Sequence, residues 1–210
     1  MDERICYFFS FLIEGLVFWN YVSILFVPKY STKIRFVCLS SGFFILFLSS
    51  LHNVFLLNCI LYTTVCFLYL IFLYKTSWYY ALFHSLLFEV LTGACELPVY
   101  SFLSTFLTSA SLRAADFHLK LLFAVMSKTL FFAVMSVLLL WLKKRQKPFL
   151  QYDKSVFFTI LIPFIAQIIV LILIAVCDST AMTAAQNRLI TTSAFFLLIV
   201  NLLIFGLNQY

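Results

Sequence analysis

The chain has 210 residues, of which 64% are hydrophobic and only 10% are charged. A soluble domain of this size carries about 25% charged residues, so a water-soluble fold of this composition would have a largely apolar surface. The composition therefore excludes an ordinary soluble domain and indicates a fold that is solvated by lipid. The net charge of +6 does not indicate nucleic-acid binding, because the basic residues lie in short loops between apolar runs.

The apolar runs predict helices rather than the strands of a barrel. Backbone groups in lipid must pair with one another, which leaves helices and closed barrels, and barrel strands alternate apolar and polar residues in short segments. Here the runs are long and nearly continuous, as in residues 155–177. The sequence predicts an all-α, polytopic membrane bundle that forms a single transmembrane domain over residues 1–210, without a soluble domain.

Seven segments approach the roughly 20 residues that a helix needs to cross a bilayer. They are residues 5–27, 36–51, 54–74, 78–97, 119–142, 155–177 and 189–207. Pro28 closes the first segment, and Pro98 ends or kinks the fourth. The second segment is only about 24 Å long at 1.5 Å per residue, so a tilted or re-entrant hairpin, and six spans, stay open. Residues 99–107 either continue the fourth helix or lie at the interface.

The distribution of basic residues predicts the orientation of the chain. With seven spans, one side of the membrane collects nine Lys and Arg residues and the other collects four. The positive-inside rule makes the first side cytoplasmic, which puts the N-terminus outside and the C-terminus inside. The start of the chain predicts a retained first span rather than a signal peptide. We therefore expect a multi-pass protein of the cell membrane.

Three ionisable residues lie inside predicted spans, where a charge is costly and usually has a reason. Glu14 and Lys128 lie about 14 Å in from the outer ends of their spans, and Glu89 lies about 17 Å in from the inner end of its span. All three can share one layer, in which a Glu–Lys pair would neutralise charge. We expect either a polar cluster that changes its pairing between signalling states or a static structural pair. Exchanging Glu89 and Lys128 would test whether those two residues touch.

Two further sets of residues are candidate binding sites. Glu96, with Pro98 beside it, could line an outward-facing ligand pocket, or it could be a carboxylate that reaches water. A basic run after the fifth span is either a topological stop or a site for anionic lipid head groups. It consists of Lys143, Lys144, Arg145 and Lys147.

No catalytic or cofactor motif stands out. A nucleophilic pair of Cys66 and His84 would require contact and an orienting group, and the spacing shows neither. The sequence contains no HExxH, GxSxG, P-loop or dinucleotide fingerprint, and its six cysteines include no CxxC pair. We expect no catalytic residue, no metal and no cofactor.

Three stretches resemble a known family. They read YKTSWYYALFH at residues 74–84, FEVLTGACE at residues 88–96 and VNLLIFGLNQY at residues 200–210. The pattern resembles the N-terminal transmembrane sensor domain of accessory-gene-regulator-type sensor histidine kinases, which carry a GHKL ATPase.

This resemblance implies a quorum-sensing receptor in a bacterial plasma membrane that binds a secreted, often cyclic, peptide and signals as a homodimer into a kinase. The chain departs from the family because it has no phosphoacceptor-histidine segment and no ATP-binding region. We expect either a truncated chain or a relative without a kinase. In neither case would these residues catalyse phosphotransfer.

Short outer loops favour a small, hydrophobic ligand that enters from the outer leaflet. Two alternatives remain open. One is a small membrane enzyme that processes peptides or modifies lipids, and the other is a transporter. The sequence identifies neither the ligand nor the oligomeric state.

Overall fold

The computed structural model describes residues 2–52, 54–106 and 117–145, together with isolated positions between 161 and 199. Within these residues the fold is all-α, as predicted. The five helices are α1 (Asp2–Leu25), α2 (Thr32–Ser50), α3 (Phe55–Leu73), α4 (Trp78–Phe106) and α5 (Phe117–Arg145). The isolated positions after residue 160 are helical too. The predicted sixth and seventh spans therefore fall mostly outside the described residues.

In the part of the chain that the structure describes, three helical segments are long and apolar enough to cross a membrane. They are Arg4–Leu25, Thr32–Ser50 and Phe117–Leu140, with 22, 19 and 24 residues, and Leu57–Leu73 is a shorter apolar helix. Large apolar side chains cover their outer faces. Val37, Phe72 and Leu140 are 63%, 65% and 70% exposed. Such surfaces are compatible with a protein whose solvent is lipid.

Two predicted helix boundaries differ from the structure in informative ways. α2 begins at Thr32 and spans 19 residues, about 28 Å at 1.5 Å per residue. The second segment is therefore one unbroken helix that is longer than predicted. α4 continues through Pro98 to Phe106, so residues 99–106 extend the fourth helix. Proline removes one backbone hydrogen bond, and helices in lipid tolerate this loss when neighbouring groups compensate for it.

The loops that join α1 to α2 and α3 to α4 pair with each other. Pro28 and Tyr74 form an isolated antiparallel bridge. The Lys29 amide donates to the Leu73 carbonyl and the Lys75 amide donates to the Val27 carbonyl, both at 2.9 Å. The flanking residues make both bonds, so the missing N–H of Pro28 leaves this ladder intact. Both loops therefore lie at the same end of the helices; we name this end, residues 26–35 and 71–80, the paired-loop end.

The chain forms two compact units. One comprises Met1–Glu89 and Phe117–Gln146, and the other comprises Val90–Asp116 and Lys147–Tyr210. In the first unit α1 packs against both α2 and α5, and α2 packs against α3. Glu14 contacts Lys128, and farther along both helices Asn20 and Leu139 line one groove. α1 and α5 therefore run parallel, so α5 ends at the paired-loop end.

The core of the first unit is aromatic, and its centre is Phe88. The ring of Phe88 lies 4.8 Å from Phe18 and 5.3 Å from Phe131, both edge-on, and it stacks on Tyr62 at 6.2 Å. Edge-on and offset aromatic pairs each contribute about 0.5–1.5 kcal/mol beyond the burial of area. This cluster joins α1, α3, α4 and α5 next to the candidate site.

Glycine allows a close approach between α2 and its neighbour α3. A Cβ built on Gly42 would lie 2.8 Å from Cγ1 of Val65. Small residues at helix contacts are typical of membrane bundles, in which van der Waals packing drives association.

Candidate functional site

The three ionisable residues that the sequence singled out lie near one another in the first unit. Glu14 lies near the middle of α1, and Glu89 and Lys128 each lie eleven residues after the first residue of their helices. These two counts run from opposite ends of the bundle, so they do not by themselves fix a common depth. The contact of Lys128 with Glu14 and the proximity of Cys66 to both carboxyl groups place the three residues in one layer. We name this layer the polar layer. It consists of Glu14, Glu89 and Lys128, together with Cys59, Thr63 and Cys66 of α3.

Lys128 forms a buried ion pair with Glu14. The Nζ of Lys128 donates to Oε1 of Glu14, and the two residues are only 5% and 4% exposed. Removing two charges from water is expensive, and their mutual attraction repays the cost only when the geometry is good. Loss of one partner would leave an uncompensated buried charge, which typically costs about 3–5 kcal/mol.

Glu89 has a different set of partners. The Thr63 hydroxyl donates to Oε2 of Glu89, and the Cys59 thiol is a second side-chain hydrogen-bond partner of this carboxyl group. Cys66, on the same helix as Thr63, is fully buried and lies within electrostatic range of both Glu89 and Glu14. The two carboxyl groups therefore share one layer, in which Glu14 forms the ion pair with the lysine.

Sequence reasoning predicted that the three charges share one layer but could not choose the partner of Lys128. It also missed Thr63 and Cys59. A signal for them was present, since Cys59, Thr63 and Cys66 follow the i, i+4, i+7 spacing of one helix face. Serine, threonine and cysteine are ordinary residues in apolar spans, so this spacing alone did not stand out.

Cys66 and His84 lie at a similar distance from the paired-loop end, because Cys66 is seven residues before the end of α3 and His84 is six residues after the start of α4. His84 is 1% exposed, and its Nδ1 lies 2.5 Å from the Tyr21 hydroxyl oxygen. It lies five residues before Glu89, about 7 Å along the axis of α4. Phe26 lies edge-on to the His84 ring with 5.0 Å between centroids. The aromatic surroundings and the phenol partner give His84 a packing role in the core.

The remaining predicted residues lie elsewhere in the chain. Glu96 and Pro98 are half-buried residues of α4 in the second unit, so the outer pocket stays a prediction. Lys143, Lys144 and Arg145 form the last turn of α5. Lys147 lies outside the described residues.

Among the described residues, no group of three or more His, Cys, Asp or Glu side chains is arranged to hold a metal ion. No family model, curated protein or solved structure matches this chain.

Proposed function

We propose that this chain is the membrane-embedded receptor domain of a signalling protein, similar to the sensor domain of accessory-gene-regulator-type histidine kinases. It receives a small hydrophobic peptide from outside the cell and relays the signal to a kinase region that is not among these residues. The observation that carries the proposal is the polar layer, in which Lys128 is buried with the carboxyl groups of Glu14 and Glu89, which belong to different helices.

A lysine with two candidate partners makes a two-state element. In the observed state Lys128 pairs with Glu14, and Glu89 is held by Thr63 and Cys59. We infer that the second state pairs Lys128 with Glu89 and releases Glu14. Each state keeps the lysine paired, while intermediate positions leave a buried charge unpaired. Such a layer favours two discrete arrangements over a continuous range, as switching requires.

The proposed topology has seven spans, with the N-terminus outside and the C-terminus inside. The paired-loop end supports it, because this end gathers basic residues from two separate loops, and α5 carries its terminal basic turn to the same end. By the positive-inside rule this end faces the cytoplasm. The predicted ligand then enters from the opposite end, where Glu96 and Pro98 lie on the outer half of α4.

The test uses the purified chain in lipid nanodiscs and the hydrophobic peptide fraction of spent medium from the source cells. A ligand at 100 times its Kd stabilises its receptor by about 2.7 kcal/mol. We expect this fraction to raise the melting temperature and to change amide hydrogen exchange in α1 and α5, the helices of the ion pair. A fraction from cells that lack small secreted peptides is the matched control.

Three results would overturn the receptor proposal. The first is that no fraction shifts the melting temperature. The second is accumulation of the peptide inside sealed proteoliposomes, which indicates a transporter. The third is chemical conversion of the peptide or lipid, if that conversion is lost on replacing His84 and Cys66, because it indicates an enzyme.

A further inference from the structure

The paired-loop end carries a concentration of positive charge without local counter-charge. Lys29, Lys33 and Lys75 are exposed there, and Arg35 is buried beneath them. No Asp or Glu occurs between Glu14 and Glu89 in the sequence, so neither loop supplies an anion. Backbone pairing of the two loops brings together cations that are 40 or more residues apart in sequence.

Arg35 is held in a rigid position by neutral groups. Its Nη1 donates to the Tyr74 hydroxyl at 2.9 Å and its Nη2 donates to Thr32 Oγ1 at 3.3 Å. The guanidinium carbon lies 5.1 Å from the Trp19 ring centroid and 5.4 Å from that of Tyr74. Rings and hydroxyl groups stabilise a cation but do not neutralise it. Arg35 is only 8% exposed, so its charge is both desolvated and uncompensated by these contacts.

Two buried donors at this end have no hydrogen-bond partner within the described part of the chain. They are Nε of Arg35 and Oγ of Ser77. Buried polar groups are nearly always paired, so each exception calls for an explanation such as a bound ion or water. The first turn of α2 adds backbone donors, because Ser31 makes no side-chain cap and no acidic residue lies there.

The depth of this end matches that of lipid head groups. Trp78 and Tyr30 are 57% and 51% exposed beside the loops, and aromatic residues of this kind mark the membrane–water interface. Guanidinium and ammonium groups at this depth meet lipid phosphates, and arginine recognises phosphate through its planar fork of donors.

We propose that the paired-loop end binds the phosphate of an anionic phospholipid head group, with Arg35 as the fixed anchor and Lys33 and Lys75 as the outer contacts. The proposal does not depend on the receptor function. It requires only that this end lies at a membrane surface, which is the inner one in the proposed orientation.

The test measures lipid retention on the full chain by native mass spectrometry. The protein is titrated with phosphatidylglycerol or with phosphatidylcholine, and inorganic phosphate is added in a separate arm. We expect retention of phosphatidylglycerol over phosphatidylcholine, and each of Lys33→Gln and Lys75→Gln should weaken it about fivefold. Arg35→Lys keeps the charge but loses the fork, and it should also reduce retention. The matched control is Arg4→Gln, which removes an exposed cation at the opposite end of α1.

Equal retention of the two lipids would overturn the proposal, and so would an equal loss in Arg4→Gln and Lys33→Gln, because that loss reflects net charge alone. Displacement of the lipid by millimolar inorganic phosphate would show that the site binds free phosphate rather than a head group. If Arg35→Lys does not fold, the two exposed lysine variants decide the question.

Discussion

The polar layer and the paired-loop end each contain a buried cation, but they stabilise it with different kinds of partner. In the layer, Lys128 meets the carboxylate of Glu14, so the protein itself supplies the counter-charge. At the paired-loop end, Arg35 meets two aromatic rings and two hydroxyl groups. The difference indicates that the layer is self-contained and suited to switching. The loop end depends on a group from outside the chain.

The largest expected effect comes from breaking the ion pair. Lys128→Met should lower the free energy of unfolding by about 3–5 kcal/mol, because the Glu14 carboxylate stays buried without a counter-charge. Denaturant unfolding of the protein in bicelles measures this loss.

Charge exchange identifies the partner of Lys128. Glu14→Lys combined with Lys128→Glu should recover much of the stability that either single change loses, whereas Glu89→Lys combined with Lys128→Glu should recover little. If the exchange with Glu89 recovers more, the resting partner of Lys128 is Glu89 and the proposed resting state is wrong.

A substitution at Gly42 tests the packing of α2 against α3 without changing any charge. Gly42→Ala should cost about 1–3 kcal/mol, because the new Cβ would lie 2.8 Å from a methyl carbon of the stiff, β-branched Val65. Thermal unfolding checks this loss. Ser41→Ala, at the exposed neighbouring position, is the control and should stay within about 0.5 kcal/mol of the parent. An equal loss in both variants would mean that α2 and α3 do not approach closely at Gly42.

Glu89, the second carboxyl group of the polar layer, accepts a hydrogen bond from the neutral hydroxyl group of Thr63. Thr63→Val should cost about 1–3 kcal/mol, because Glu89 loses a part-buried hydrogen bond. Thr64→Val is a matched control, since Thr64 is exposed and its hydroxyl donates to the Ile60 carbonyl of its own helix. Urea unfolding in detergent compares the two variants, and a larger loss for Thr64→Val would contradict the assigned role of Thr63.

The smallest effect is expected at the paired-loop end. Tyr74→Phe keeps the ring beneath Arg35 but removes the acceptor of its Nη1, and it should cost about 1–1.5 kcal/mol. Tyr30→Phe is the control, because Tyr30 is 51% exposed. A melting-temperature series in nanodiscs with and without phosphatidylglycerol measures both. If Tyr74→Phe lowers the melting temperature no more than Tyr30→Phe does, Tyr74 does not hold Arg35 in place and Arg35 is not a fixed anchor.

Composition and apolar run length predicted the all-α fold, and the 1.5 Å rise per residue supplied an approximate depth for each of the three charges. The start of α2 was placed too late, because Lys33 and Arg35 were taken to mark a loop. Arginine at a helix end can instead bury its charge among aromatic rings, as Arg35 does against Trp19 and Tyr74.

Other features depend on helix neighbours, which the sequence does not specify. Depth along α5 is fixed by counting residues, but the rotation of α5 and its position next to α1 decide that Lys128 meets Glu14. The bridge between Pro28 and Tyr74 likewise joins loops that are far apart in sequence. No local pattern predicts such a pairing.

The proposed topology is tested most directly by the side of the membrane from which three engineered cysteines can be labelled. In a background without the six native cysteines, Tyr30→Cys, His52→Cys and Lys75→Cys are treated with a membrane-impermeant maleimide. The account predicts that position 52 reacts in intact cells and that positions 30 and 75 react only after the membrane is opened. Labelling of positions 30 and 52 from the same side would show that α2 does not cross the bilayer. Labelling of positions 30 and 75 in intact cells would reverse the orientation on which the receptor proposal depends.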